Sequence, residues 1–149
     1  MPIGELAIRE VVVAQRETSV LEAARLMRQY HVGDIVVTDQ PDGKRVPVGI
    51  VTDRDIVLEV LAQGVDAGRL SVGDIMTRDL ITVSESEGIL QTVQLMRAKG
   101  ARRAPVVDKE GALVGIVAAD DFIELLAEEL TELARLISRE QKRETELRS

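Results

Sequence analysis

The sequence predicts an α/β protein built from two β-α-β-β-α repeats that pack face to face about a pseudo-twofold axis, followed by an extended C-terminal helix. Three observations lead there. Residues 20–39, "VLEAARLMRQYHVGDIVVTD", align with residues 89–108, "ILQTVQLMRAKGARRAPVVD", so that Leu26-Met27-Arg28 falls on Leu95-Met96-Arg97 at an offset of 69. The corner "GIVTDRD" (49–55) returns as "GIVAADD" (115–121) at an offset of 66, the difference being absorbed by a shorter second turn, where a duplicated unit tolerates deletion. Finally, a unit of roughly 60 residues buries too little surface alone, so two such units are expected to share one core.

Each repeat reads in the same order. Val11 to Val13, and Leu80 to Val83, are expected as short strands. Ser19 with Glu22, and Ser84 with Glu87, offer capping-box starts for the helix that follows. Apolar residues then recur at spacings of three and four: Val20, Ala23, Ala24, Met27 and Tyr30 in the first repeat, and Ile89, Val93 and Met96 in the second. "DIVVTD" and "VPVGIV" are rich in β-branched residues and are separated by the turn signal Pro41-Asp42-Gly43, as "APVVD" and "ALVGIV" are by Lys109-Glu110-Gly111. A second helix closes each repeat, opening at Thr52 or at Ala118.

Composition restricts the function. The chain has 149 residues, 45% of them hydrophobic, no cysteine, and a net charge of −7. The charge opposes broad docking on nucleic acid, and Tyr30 and Phe122 are the only aromatic residues, which removes base-stacking platforms. Without cysteine there is no disulfide, thiolate metal site or thiol nucleophile. No apolar run approaches the ~20 residues of a membrane helix, and "MPIGELAIRE" has no basic segment leading into an apolar core. The expectation is a cytoplasmic protein without metal, membrane or nucleic-acid partner. His31 has no visible helper and reads as a helix C-terminal residue. "TDQPDGK" lacks the acid spacing and closing glutamate of a calcium loop, and reads as a hairpin turn.

The duplication, the corner "GIVTDRD", the strand "RRAPVVD" and the connecting "VGDIMTRDLITV" together resemble a tandem pair of cystathionine-β-synthase (CBS) domains, a Bateman module, over about residues 6 to 128. The expected division is repeat 1 at 6–63, a linker at 64–76, repeat 2 at 77–128, and a helical extension with a polar tail at 129–149. The resemblance implies a stand-alone sensor that binds an adenosine nucleotide such as AMP, ADP or ATP, or NAD or S-adenosylmethionine, between the repeats, with two modules pairing as a flat dimer. It implies no required cofactor and no catalytic residue.

The corner residues carry chemistry of their own. A carboxylate at a strand-to-helix corner can accept hydrogen bonds from both ribose hydroxyls, and Asp55 is assigned that role. The Thr52 hydroxyl and the unpaired amides of the helix start can meet ribose or phosphate oxygens. The competing reading makes Thr52 an N-cap and Asp53 and Asp55 ordinary first-turn acids. At the second corner Asp121 is retained but Ala118 removes the hydroxyl, so that site is expected to be weak, vestigial or limited to an uncharged adenosine moiety. The resemblance further implies that phosphates at the first corner lean toward Arg102 and Arg103, whereas Gly33 and Asp34 face the second. The alternative for the arginines is a solvated pair or partners for nearby acids. It also places Ile50, Leu80 and Ile81 against the adenine, positions that plain core packing explains equally well.

Beyond the repeats, Phe122, Leu126, Leu130, Leu133 and Ile137 keep helical spacing. Such a stripe needs a cover: its own domain, a second copy or an unidentified client protein, with a homodimer placed first. Two readings therefore compete ahead of an enzyme, the weakest reading because no cysteine exists, the single histidine has no visible helper and the acids cluster at helix starts where capping explains them. One is a nucleotide-sensing regulatory module, the other a dimerisation scaffold with degenerate, unoccupied sites.

Overall fold

The structure, a computed structural model, describes residues 1–148. By contacts the chain divides into two compact units, Met1–Val117 and Ala118–Ser149. The first contains two three-stranded sheets. One joins β1 (Val13–Ala14), β2 (Asp34–Asp39) and β3 (Val46–Thr52), with β1 parallel and β3 antiparallel to the central β2. The other repeats the order with β4 (Val83–Ser84), β5 (Arg103–Val107) and β6 (Leu113–Ala118). Short helices α1 (Ile3–Leu6) and α4 (Val72–Ile75) open the repeats, α2 (Val20–Tyr30) and α5 (Ile89–Lys99) cross over within them, and α3 (Asp53–Ile56) runs into a π-helical turn at Val57–Leu61.

The pseudo-twofold relation is written in paired contacts. Pro2 bridges Gly88 as Ser71 bridges Ser19, and Ile8 bridges Ile116 as Thr77 bridges Ile50. Each member of a pair is its counterpart with the repeats exchanged. The same exchange seats the opening helices: Gly4 N–H donates to Glu85 O at 2.9 Å and Gly73 N–H to Arg16 O at 3.0 Å. Segment 64–76, expected as linker, thus contains α4, the counterpart of α1. The close approach also explains the repeated glycine of the corner motif. A Cβ on Gly49 would stand 2.9 Å from Thr77 O, and one on Gly115 would stand 2.9 Å from Ile8 O, so neither position accepts a side chain without backbone movement.

The continuous apolar run of β2 follows from burial on both faces. Ile35, Val37 and Val51 pack with Ala23 and Met27 of α2 and, from the other repeat, Val72 and Met76. Val36 and Ile50 pack on the opposite face with Leu113, against partly buried Leu80 and Ile116. Both faces thus meet the other repeat, one through Val72 and Met76 beside α2 and the other through Leu113.

Several local expectations change. Ser19 caps α2 as expected, its hydroxyl accepting from Glu22 N–H at 3.0 Å. Ser84 does not cap α5. It lies in β4 with its hydroxyl 3.0 Å from that of Ser86, and the N-cap is Gly88, the true counterpart of Ser19. On α5 the buried positions are Thr92 and Met96, and Val93 is exposed. Thr92 is accommodated because its hydroxyl donates to Gly88 O at 2.8 Å. Tyr30, read as part of the apolar face of α2, is also exposed. His31 ends α2 in the left-handed region at φ 54°, its N–H returning to Met27 O, a helix C-terminus as expected.

Thr38 is 1% exposed, and its hydroxyl has no hydrogen-bond partner among the described residues. Thr38→Val keeps the β-branched shape that suits a strand while removing the unpaired oxygen. The variant should be more stable by about 1 kcal/mol, raising the melting temperature by ~2–4 °C. A lower melting temperature would show that the hydroxyl has a partner in solution.

The second unit is a single helix, α6 (Ala119–Arg148), of 30 residues. No helix among the described residues is long and apolar enough to cross a membrane.

Candidate functional site

The first corner opens onto a cavity of about 360 Å³, at the lower end of the ~300–1,000 Å³ typical of small-molecule sites. Three segments wall it: Ile50 and Thr52 at the end of β3, Thr77 to Ile81 on the chain entering repeat 2, and Lys99 to Arg103 between α5 and β5. The first two segments are held together by the bond from Thr77 N–H to Ile50 O, 2.9 Å. Gly100, at φ 64°, ends α5 and turns the third segment toward them. Of the residues named from sequence, Ile50, Thr52, Leu80, Ile81, Arg102 and Arg103 all border this one space. Ile50 and Leu80 also belong to the apolar packing between the repeats, so the same side chains serve as core and as wall.

Asp55, also named from sequence, is not among the residues that line this cavity; it is joined to Thr52, which is. The Thr52 N–H donates to Asp55 Oδ2 at 2.9 Å, and the Asp55 N–H donates to Thr52 Oγ1 at 3.1 Å. This reciprocal box caps α3, so the capping reading of the pair describes their resting geometry. It occupies one carboxylate oxygen and leaves Oδ1 as a further acceptor. At the other corner the Ala118 N–H donates to Asp121 Oδ2 at 2.7 Å. There the box is half made, because alanine has nothing to return to the Asp121 amide.

The basic segment holds a contact that the sequence reading did not anticipate. Arg103 Nε forms an ion pair with Asp34 Oδ2. The two residues occupy equivalent positions in the repeats, and the pseudo-twofold relation brings them together. Sequence had assigned them to opposite sites; of its two alternatives for the arginines, partnership with a nearby acid describes Arg103. Burial pushes the Asp34 carboxyl above the ordinary carboxylate range; Arg103 acts against this and Asp53 adds to it. Such a carboxyl takes up its proton more readily in the folded chain than in the unfolded one. Its contribution to stability therefore falls as pH climbs from the ordinary carboxylate value through the raised one, and returns on acidification.

Lys99, Thr77 and Asp79 border the cavity and were not singled out from sequence. Lys99 was legible only as the last residue of a helix, and its proximity to the arginines follows from the turn at Gly100. A second cavity, of about 520 Å³, lies where Val11 and Val12 stand in place of Leu80 and Ile81. Its wall has Tyr30 in place of Lys99, and among the described residues that line it only Glu10 is charged. The two cavities thus share apolar walls and differ in charge. Among the described residues no cluster of histidine, aspartate or glutamate could hold a metal ion.

Comparison with known proteins agrees with this architecture. The family model for the CBS domain matches residues 3–62 and 72–128. The chain is 38% identical over 113 residues to the CBS domain-containing protein YhcV of Bacillus subtilis, covering 76% of each chain. It is 37% identical over 123 residues to an uncharacterised protein of Methanopyrus kandleri, covering 83% of this chain and 61% of that one. It therefore spans about three-fifths of the length of the Methanopyrus relative. In structure it is similar to the CBS domain pair of protein MJ0100, solved in complex with 5′-methylthioadenosine and S-adenosyl-L-methionine. The TM-score is 0.74 at 28% identity, over 87% of this chain and 98% of that one. The duplicated fold, the swapped bridges and these matches lead to one conclusion: the chain belongs to the CBS domain family, as a tandem pair.

Proposed function

We propose that this CBS pair is a regulatory module that binds one adenosine nucleotide per chain in the cavity at the first corner and passes occupancy to a partner. The observation that carries the reading is the convergence of Lys99, Arg102 and Arg103 on the cavity that Thr52 also borders; Asp55, bonded to Thr52, stands behind that lining. Apolar Ile50, Leu80 and Ile81 suit the adenine, Asp55 Oδ1 the ribose, and the basic segment the phosphates. A neighbouring CBS pair holds 5′-methylthioadenosine and S-adenosyl-L-methionine, which supports an adenosine core for the ligand. Lys99, Arg102 and Arg103 outnumber Asp79 on the lining, a balance that favours AMP, ADP, ATP or NAD over the sulfonium of S-adenosylmethionine even with Arg103 paired to Asp34. The second corner, with half a capping box at Asp121 and Ala118, is proposed to bind phosphate poorly. A regulatory role without chemistry of its own, a cytoplasmic setting, and a homodimer or client as the receiver of the signal belong to the same reading.

A second reading is favoured by the ion pair itself. Arg103 is already matched by Asp34, as expected of a scaffold whose nucleotide sites have degenerated. Thermal shift separates the two. A ligand that binds only the folded chain adds about 2.7 kcal/mol at a hundredfold excess over its dissociation constant. A panel of adenosine, AMP, ADP, ATP, NAD and S-adenosylmethionine should raise the melting temperature most for the phosphorylated members. Flat curves across the panel at millimolar concentration would leave the scaffold in front.

A further inference from the structure

The helix α6 leaves its apolar stripe open. Leu126, Leu130, Leu133 and Ile137 are between 51% and 66% exposed, although Phe122 at the start of the same helix is buried. With Ile123 they alternate spacings of three and four, the seam pattern of two-stranded helical packing. Ala127 and Ala134 lie one position beyond two of the leucines, where small side chains allow a second helix to approach closely. The occupant is indicated by charge. From 119 to 132 the helix carries six carboxylates and no basic residue; from 133 to 148 it carries five basic residues and three acidic ones. A parallel copy would lay the acidic halves side by side, and an antiparallel copy lays each acidic half against a basic one.

We propose that α6 pairs with α6 of a second copy in antiparallel orientation, in the register that sets Leu126 against Ile137 and Leu130 against Leu133. This register keeps four consecutive layers apolar and centres the seam where the helix changes sign. Ile123 then meets Glu140, which ends the seam on each side. The inference rests on the homodimer reading above and adds its orientation, which the following experiment tests separately.

The chain has no cysteine, so Thr145→Cys gives a single site for a nitroxide spin label on the polar side of the helix. Antiparallel pairing in this register sets the two labels about 40 Å apart along the axis at a rise of 1.5 Å per residue; parallel pairing sets them about one helix diameter apart, ~10–12 Å. Pulsed dipolar spectroscopy should give the long distance, and light scattering should give a dimer. Leu130→Glu with Leu133→Glu, in the labelled chain, should abolish the dipolar signal. Leu126→Glu with Ile137→Glu should do the same, all four being surface positions whose change leaves the core intact. A short distance would overturn the orientation while keeping the homodimer. A monomeric mass without dipolar signal would overturn both, and a dimer whose signal survives both glutamate pairs would place the seam elsewhere.

Discussion

Arg103→Ala is expected to weaken AMP and ATP at least tenfold while leaving adenosine nearly unchanged, because the guanidinium is assigned to phosphate and a charged hydrogen bond contributes on the order of 1.5–3 kcal/mol. Equilibrium titration of the three ligands against both chains checks it. The Asp34 ion pair sharpens the expectation, since phosphate and Asp34 compete for the same guanidinium. Asp34→Asn should therefore tighten AMP several-fold without moving adenosine, and should flatten the part of the pH–stability profile that the raised Asp34 carboxyl creates. Equal effects of Arg103→Ala on adenosine and AMP would show that this arginine does not meet phosphate. No gain from Asp34→Asn would show that the pair is not in competition with the ligand.

Asp55→Ala is expected to weaken adenosine and AMP alike, again at least tenfold, because the ribose is common to both. The substitution also removes half of the box that caps α3. Loss of a cap destabilises by about 1 kcal/mol, so affinity must be measured well below the melting temperature of the variant. Asp55→Asn separates the effects. Its side-chain oxygen can still accept from the Thr52 amide, preserving the corner, but without the negative charge it is the weaker acceptor for ribose. Full affinity in Asp55→Asn combined with loss in Asp55→Ala would reduce Asp55 to a capping residue.

The duplication carried most of the fold into view, since one repeat supports the reading of the other. Where the repeats diverge, sequence gave less. "SESE" around Ser84 satisfies a capping-box pattern, yet the helix begins after Gly88, whose carbonyl and not a side chain engages Thr92. The strands β1 and β4 are only two residues each, shorter than their apolar runs, because pairing with β2 and β5 is confined to Val13–Ala14 and Val83–Ser84. Site residues adjacent in sequence, such as Thr52 with Asp55 or Leu80 with Ile81, are legible because local geometry fixes them. Arg103 with Asp34 is not. Their meeting depends on the pseudo-twofold packing, which no local pattern encodes, and Lys99 joins the cavity only through the left-handed turn at Gly100.

Each chain is expected to hold a single phosphate-favouring adenosine site, and isothermal titration calorimetry of the unmodified protein with AMP tests this most directly. The expected isotherm has a stoichiometry of one per chain, with adenosine binding at least tenfold more weakly for want of the phosphate. Two equivalent sites per chain, or adenosine bound as tightly as AMP, would contradict it.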